Sequence, residues 1–133
     1  MNESTQMHAE ILLVDDNPIQ TATRQAILSL RGRRVAVANG SYQALELLES
    51  PDLCASVGLI ITDHWMPDLN GPQLVTFLRR RLPTIPILVI SGMPDAEHEY
   101  AGLGIIYRTK PIGPEDLLAL VDSLLNEPMS RTA

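Results

Sequence analysis

Lysine is almost missing from this chain. Nine of its ten basic residues are arginines, and Lys110 is the single lysine. Cysteine occurs once, at Cys54, so no disulfide can close within the chain, and a reducing, cytoplasmic setting is expected. Aromatic residues are only 4%, which is little for a flavin-based electron carrier. No apolar run approaches the roughly 18 residues that a membrane span requires. Residues 1–9 lack the basic-then-apolar pattern of a secretion signal. Positive charge is outweighed: the formal net charge is −6. That excludes a freestanding nucleic-acid binder, whose affinity rests on Lys and Arg against phosphates. Neither direct nucleic-acid binding nor membrane association is expected.

What is present fits one globular domain. The chain has 133 residues, 45% hydrophobic and 20% charged. Short apolar runs without alternation recur: Glu10-Ile11-Leu12-Leu13-Val14, Arg34-Val35-Ala36-Val37-Ala38, Gly58-Leu59-Ile60-Ile61-Thr62, Pro86-Ile87-Leu88-Val89-Ile90 and, more weakly, Ile105-Ile106-Tyr107. Such runs suit strands buried on both faces. Helical spacing lies between them. Asn17-Pro18 opens a helix with Ile19, Ala22, Ala26, Ile27 and Leu30 expected on its apolar side, stopped by Gly32. Ser41 is the expected cap of a helix carrying Tyr42, Leu45, Leu47 and Leu48, and residues 51–57 are expected to form a loop. Asn70-Gly71-Pro72 starts a helix with Leu74, Val75, Leu78 and Leu82, closed by Arg79-Arg80-Arg81, whose charges suit its C-terminus. Pro94 starts a helix that Gly102 and Gly104 limit to about two turns. Gly113-Pro114 starts the last one, with Leu117, Leu120, Val121, Leu124 and Leu125 on its apolar side. Five strands alternating with five helices predict a parallel sheet covered on both faces, a three-layer α/β fold. Residues 1–9 are expected to be a flexible segment, 10–126 the domain and 127–133 a frayed tail. Met1 and this polar tail read as a freestanding protein.

The strands are apolar, yet four of them end in polar groups. The first ends in Asp15-Asp16, the third in Asp63, the fourth in Ser91, and Lys110 follows the fifth. Parallel strands deliver these ends to one edge, where ligands bind in open α/β sheets. Three carboxylates there repel one another unless a cation is present. Hard oxygen donors select Mg²⁺, or a similar ion such as Mn²⁺. A carboxylate can act as nucleophile towards phosphorus, and Lys110, Ser91 and a divalent ion can neutralise the transferred oxygens. Singly, each residue has an ordinary reading: Asp15 and Asp16 as helix caps, Ser91-Gly92 as a turn, Lys110 as a surface lysine. Together, at four strand ends, they read as a site for phosphoryl transfer to Asp63. Trp65 either covers this pocket or packs on the surface. His64 is either a metal ligand or, as is commoner for a lone histidine among carboxylates, a residue that faces solvent, and the latter is expected. His8, His98 and Cys54 form no pattern.

These residues resemble those of the receiver domain of two-component response regulators. The matching motifs are Leu13-Val14-Asp15-Asp16-Asn17, Ile61-Thr62-Asp63-His64-Trp65-Met66-Pro67, Asn70-Gly71, Val89-Ile90-Ser91-Gly92 and Thr109-Lys110-Pro111, within residues 10–126. The resemblance implies the flavodoxin-like strand order 2-1-3-4-5. It implies Asp63 as phospho-acceptor, with Mg²⁺ on Asp15, Asp16, Asp63 and the backbone carbonyl of Trp65. Lys110 would pair with Asp63 and then with the phosphate, across a cis Lys110–Pro111 bond. Ser91 and Tyr107 would form the switch. The implied phosphodonor is a sensor histidine kinase or phosphotransfer protein. The implied activity is signalling, with only self-catalysed phosphotransfer and slow autodephosphorylation, and the implied output face is the fourth helix, fifth strand and fifth helix. Gly92 departs from the family's usual alanine, and the fourth helix is short. A flavodoxin-type carrier would be repelled by Asp15-Asp16. An aspartyl-phosphate phosphatase wants an acid where Trp65 stands. A pseudo-receiver, acting as an interaction module alone, would not need the full acidic set with Ser91 and Lys110. The downstream target and the oligomeric state are not readable from these residues.

Overall fold

In the computed structural model, residues 8–132 are described, with side chains to Asn126. Five parallel strands form one sheet: β1 Ile11–Val14, β2 Val35–Ala38, β3 Leu59–Asp63, β4 Ile87–Ser91 and β5 Ile106–Thr109. Their order is β2-β1-β3-β4-β5, as expected. The helices are α1 Pro18–Ser29, α2 Ser41–Leu47, α3 Pro51–Ser56, α4 Gly71–Arg81 and α5 Pro114–Thr132, with a 3₁₀ helix at Pro94–Tyr100.

The runs without alternation follow from burial on both faces. Successive strand residues point to opposite sides. Leu12, Val14, Ile60, Ile87 and Val89 pack on one side against Ala44, Leu48, Leu74, Val75 and Leu78. Ile11, Leu13, Leu59, Ile61, Leu88 and Ile90 pack on the other against Leu28, Leu117, Leu118, Val121 and Leu124. The sheet is thus the middle of three layers. Fully burying each such Leu or Ile stabilises the fold by about 1.5–3 kcal/mol.

Several local expectations change. Residues 51–57 are not a loop: Pro51 takes the first helical position and the Ser50 hydroxyl accepts the Leu53 amide, so a short helix forms. Six helical segments therefore replace the expected five among the described residues. Ser41 is not the cap of α2. Its hydroxyl instead donates to the Leu69 carbonyl at 2.8 Å, and the cap comes from far along the chain, where Asp68 Oδ2 accepts the Tyr42 amide at 3.0 Å. Burial pushes the Asp68 carboxyl up, but four backbone N–H donors outweigh it and hold the group below its ordinary value. The segment at Pro94 is indeed two turns long, but 3₁₀ rather than α. Gly102 and Gly104, with φ of 81° and 64°, end it in the left-handed region.

The largest change is in α1. Ile19 and Leu30 are 78% and 81% exposed, and the buried residues are Thr21, Arg24 and Leu28. The helix is turned so that a polar stripe faces the sheet near the carboxyl ends. Arg79 does more than offset a helix dipole. Its guanidinium donates to the carbonyls of Leu82, Ile85, Leu103 and Gly104, tying α4 to the loop that enters β5. Ala9 is fully buried and its carbonyl accepts the Ser56 hydroxyl. Residues 1–7 of the expected N-terminal segment lie outside the described residues, as do the side chains of the expected tail, along which the α5 backbone runs to Thr132.

Candidate functional site

The register of the sheet assembles the site. Val14 lies level with Thr62, and Asp63 with Ile90, so Asp15 and Asp63 leave neighbouring strands side by side. Ser91 lies level with Thr109, and the Lys110 amide donates to the Ser91 carbonyl at 2.7 Å. Carboxylate oxygens of Asp15, Asp16 and Asp63 all lie within 4.8 Å of one another. Their hard oxygen chemistry and spacing fit a small divalent cation.

Asp63 is buried. Its Oδ2 accepts from Lys110 Nζ at 3.0 Å, and its Oδ1 from the His64 amide at 2.8 Å. The one lysine of the chain is thus spent on this carboxylate. Ser91 is 2% exposed, and its hydroxyl accepts the Met93 amide at 3.0 Å. Gly92 is open: a Cβ there would meet nothing within 4 Å, so an alanine would fit. The Lys110–Pro111 peptide is cis. Tyr107 is buried, with its hydroxyl donating to the Met93 carbonyl. Trp65 is 64% exposed, which settles it as a surface residue in this structure.

Asp15 is fully buried and Asp16 exposed. Asp15 Oδ1 accepts the Asn17 amide at 3.0 Å. Its Oδ2 accepts from Gln20 Nε2 and, at 3.3 Å, from Arg24 Nη1. Burial lowers the Arg24 pKa, opposed by Asp15 and then Asp63, and an arginine stays charged regardless. Neither Arg24 nor Gln20 was expected here. The available signal was weak: Thr21, Arg24 and Leu28 share one helical stripe, but a more apolar stripe competed with it.

His64 contradicts expectation outright. It is buried, and its Nδ1 lies 2.7 Å from the Tyr100 hydroxyl, with the two rings edge-on. Tyr100 is buried in turn, its ring 5.8 Å from that of Tyr107. Burial, with Tyr107, Glu99 and Asp63 nearby, holds the Tyr100 phenol well above its ordinary value, so it keeps its proton. The residue after the acidic strand end is therefore anchored to the 3₁₀ helix. Gly71 permits this: a Cβ there would lie 1.8 Å from the Tyr100 hydroxyl.

Residues 11–122 match the response regulator receiver domain family. This chain belongs to that family. As a receiver, it is similar to the two-component response regulator ORR5 of Oryza sativa, at 36% identity over 120 residues, covering 86% of this chain and 87% of that protein. It is 31% identical over 122 residues to the TorCAD operon transcriptional regulatory protein TorR of Escherichia coli, covering 90% of this chain and 51% of that one. The receiver spans only 20% and 21% of the response regulators ARR21 and ARR13 of Arabidopsis thaliana, at 29% and 30% identity. Among solved structures it resembles a CheY-like receiver domain protein of Methanospirillum hungatei, with TM-score 0.82 and 25% identity over 91% of this chain and 96% of that one. It is a phosphorelay signalling domain. Among the described residues no helix is long and apolar enough to cross a membrane.

Proposed function

We propose that Asp63 accepts a phosphoryl group from a phosphohistidine on a sensor histidine kinase or phosphotransfer protein. The supporting observation is the 3.0 Å contact of Lys110 Nζ with Asp63 Oδ2, at the edge that also holds Ser91, Asp15 and Asp16. A carboxylate oxygen of Asp63 forms the new O–P bond. The P–N bond breaks, and the imidazole leaves with its electron pair. Asp15, Asp16, Asp63 and the Trp65 carbonyl would hold Mg²⁺ or Mn²⁺, which when bound neutralises charge on the phosphoryl oxygens. Lys110 balances a second share of that charge, and the Ser91 hydroxyl donates to a third oxygen. Among the described residues no group beside Asp63 is set up to activate water, and slow hydrolysis of the phosphate is the expected outcome.

The product carries more charge than the free carboxylate, so Ser91 and Lys110 gain stronger partners once it forms. Met93, bonded to both Ser91 and Tyr107, carries that change to the segment after β4 and to its protein target. A pseudo-receiver reading leaves this complete charge set without use.

The acceptor is tested with a small phosphodonor and Mg²⁺. The native chain takes up one phosphate and Asp63→Asn takes up none; labelling of that variant would refute the assignment. Chelating the metal is expected to stop labelling, and continued reaction would remove Asp15 and Asp16 from their role.

A further inference from the structure

A fully buried carboxylate must be neutralised or supplied with donors, and Asp15 is both. Gln20 and the Asn17 amide supply hydrogen bonds, while Arg24 supplies charge. Arg24 is itself buried, at 6% exposed, on the inward stripe of α1. Three carboxylates therefore face two cations, Arg24 on Asp15 and Lys110 on Asp63, leaving one net negative charge where a pocket with lysine alone would carry two.

We propose that Arg24 is a built-in counter-cation of the acidic pocket, competing with the divalent ion for Asp15 and thereby setting the ion's affinity. The inference rests on the metal reading above. Its geometry suits displacement. The contact is a single 3.3 Å approach to one oxygen and not the two-point fork that arginine makes with carboxylates when it binds them firmly. Arg24 also lines a cleft between α1 and the loop after β5, with Asn17, Gln20, Thr23, Lys110 and Pro111. Without an ion, Arg24 keeps the buried Asp15 paired. With one, its charge opposes the ion at short range.

The test is titration calorimetry with Mg²⁺ alone, on the native chain and on Arg24→Gln, together with melting curves with and without Mg²⁺. Arg24→Gln is expected to bind about tenfold tighter and to gain more in melting temperature from saturating Mg²⁺. Arg24→Lys, which keeps the charge, is expected to bind within about twofold of native. Native-like or weaker binding by Arg24→Gln would overturn the inference while leaving the metal site standing. So would a gain in Arg24→Lys equal to that in Arg24→Gln. Absence of binding in every chain would overturn the metal site itself. If Arg24→Gln unfolds without ion, rescue by Mg²⁺ but not by sodium chloride of equal ionic strength supports the competition; failure of Mg²⁺ to rescue it overturns it.

Discussion

The acidic edge and the segment that follows β4 lie side by side but are held in different ways. At the edge, Asp15, Asp63 and Ser91 leave buried strands, and each makes at least one further hydrogen bond through its side chain. Along residues 92–104 the chain is mostly exposed, with Ala96 and Tyr100 as its two buried residues. Tyr100 is held by His64, and the Leu103 and Gly104 carbonyls by Arg79. Local stability follows the density of buried contacts, so the edge is the fixed part and residues 92–104 the part that yields. A switch needs both: a rigid place where charge appears and a weakly held element that it biases.

Three substitutions probe that contrast. The largest effect is expected from Gly71→Ala. Its methyl group would lie 1.8 Å from the Tyr100 hydroxyl and 3.1 Å from the His64 Cα, so Tyr100 must leave its seat. The expected cost is about 2–3 kcal/mol in urea unfolding, with faster amide exchange confined to residues 94–104. Uniform acceleration that includes β3 would break the distinction between the two regions.

Arg79→Met is expected to cost about 2 kcal/mol, because four carbonyls lose a charged donor at once. Exchange should rise at Leu103 to Ile105 while the Lys110–Asp63 pair, followed through phosphodonor labelling, stays intact. Loss of labelling would show that the acidic edge depends on this staple. Tyr100→Phe is the smallest, about 1 kcal/mol, since it removes one hydrogen bond and keeps the ring. It leaves His64 Nδ1 without this partner, and the imidazole resonances should shift in NMR spectra. An unchanged imidazole would mean that the bond does not form in solution.

The fold was largely legible. Unalternating runs such as Ile11-Leu12-Leu13-Val14 are what a strand buried on both faces requires, and strict alternation with helices leaves a parallel sheet. The Asp15, Asp16, Asp63, Ser91 and Lys110 set was legible for the same reason, because parallel strands end at one edge. The inward face of α1 is not legible in the same way, because Ile19 and Leu30 carry the stronger apolar signal, whereas the fold turns Arg24 inward onto Asp15. The helix at Pro51–Ser56 is hidden in the sequence because six residues offer too little periodicity to detect.

By itself, then, the order of residues along the chain determined the sheet, its strand ends and the chemistry gathered there. Only the tertiary structure decided which side chains meet that chemistry from outside the strands. Arg24 on Asp15, Tyr100 on His64 and Asp68 on the Tyr42 amide join residues 9, 36 and 26 positions apart. Pairings at such separations follow no helical or strand period. They arise where packing brings two polar groups together and a donor finds its acceptor.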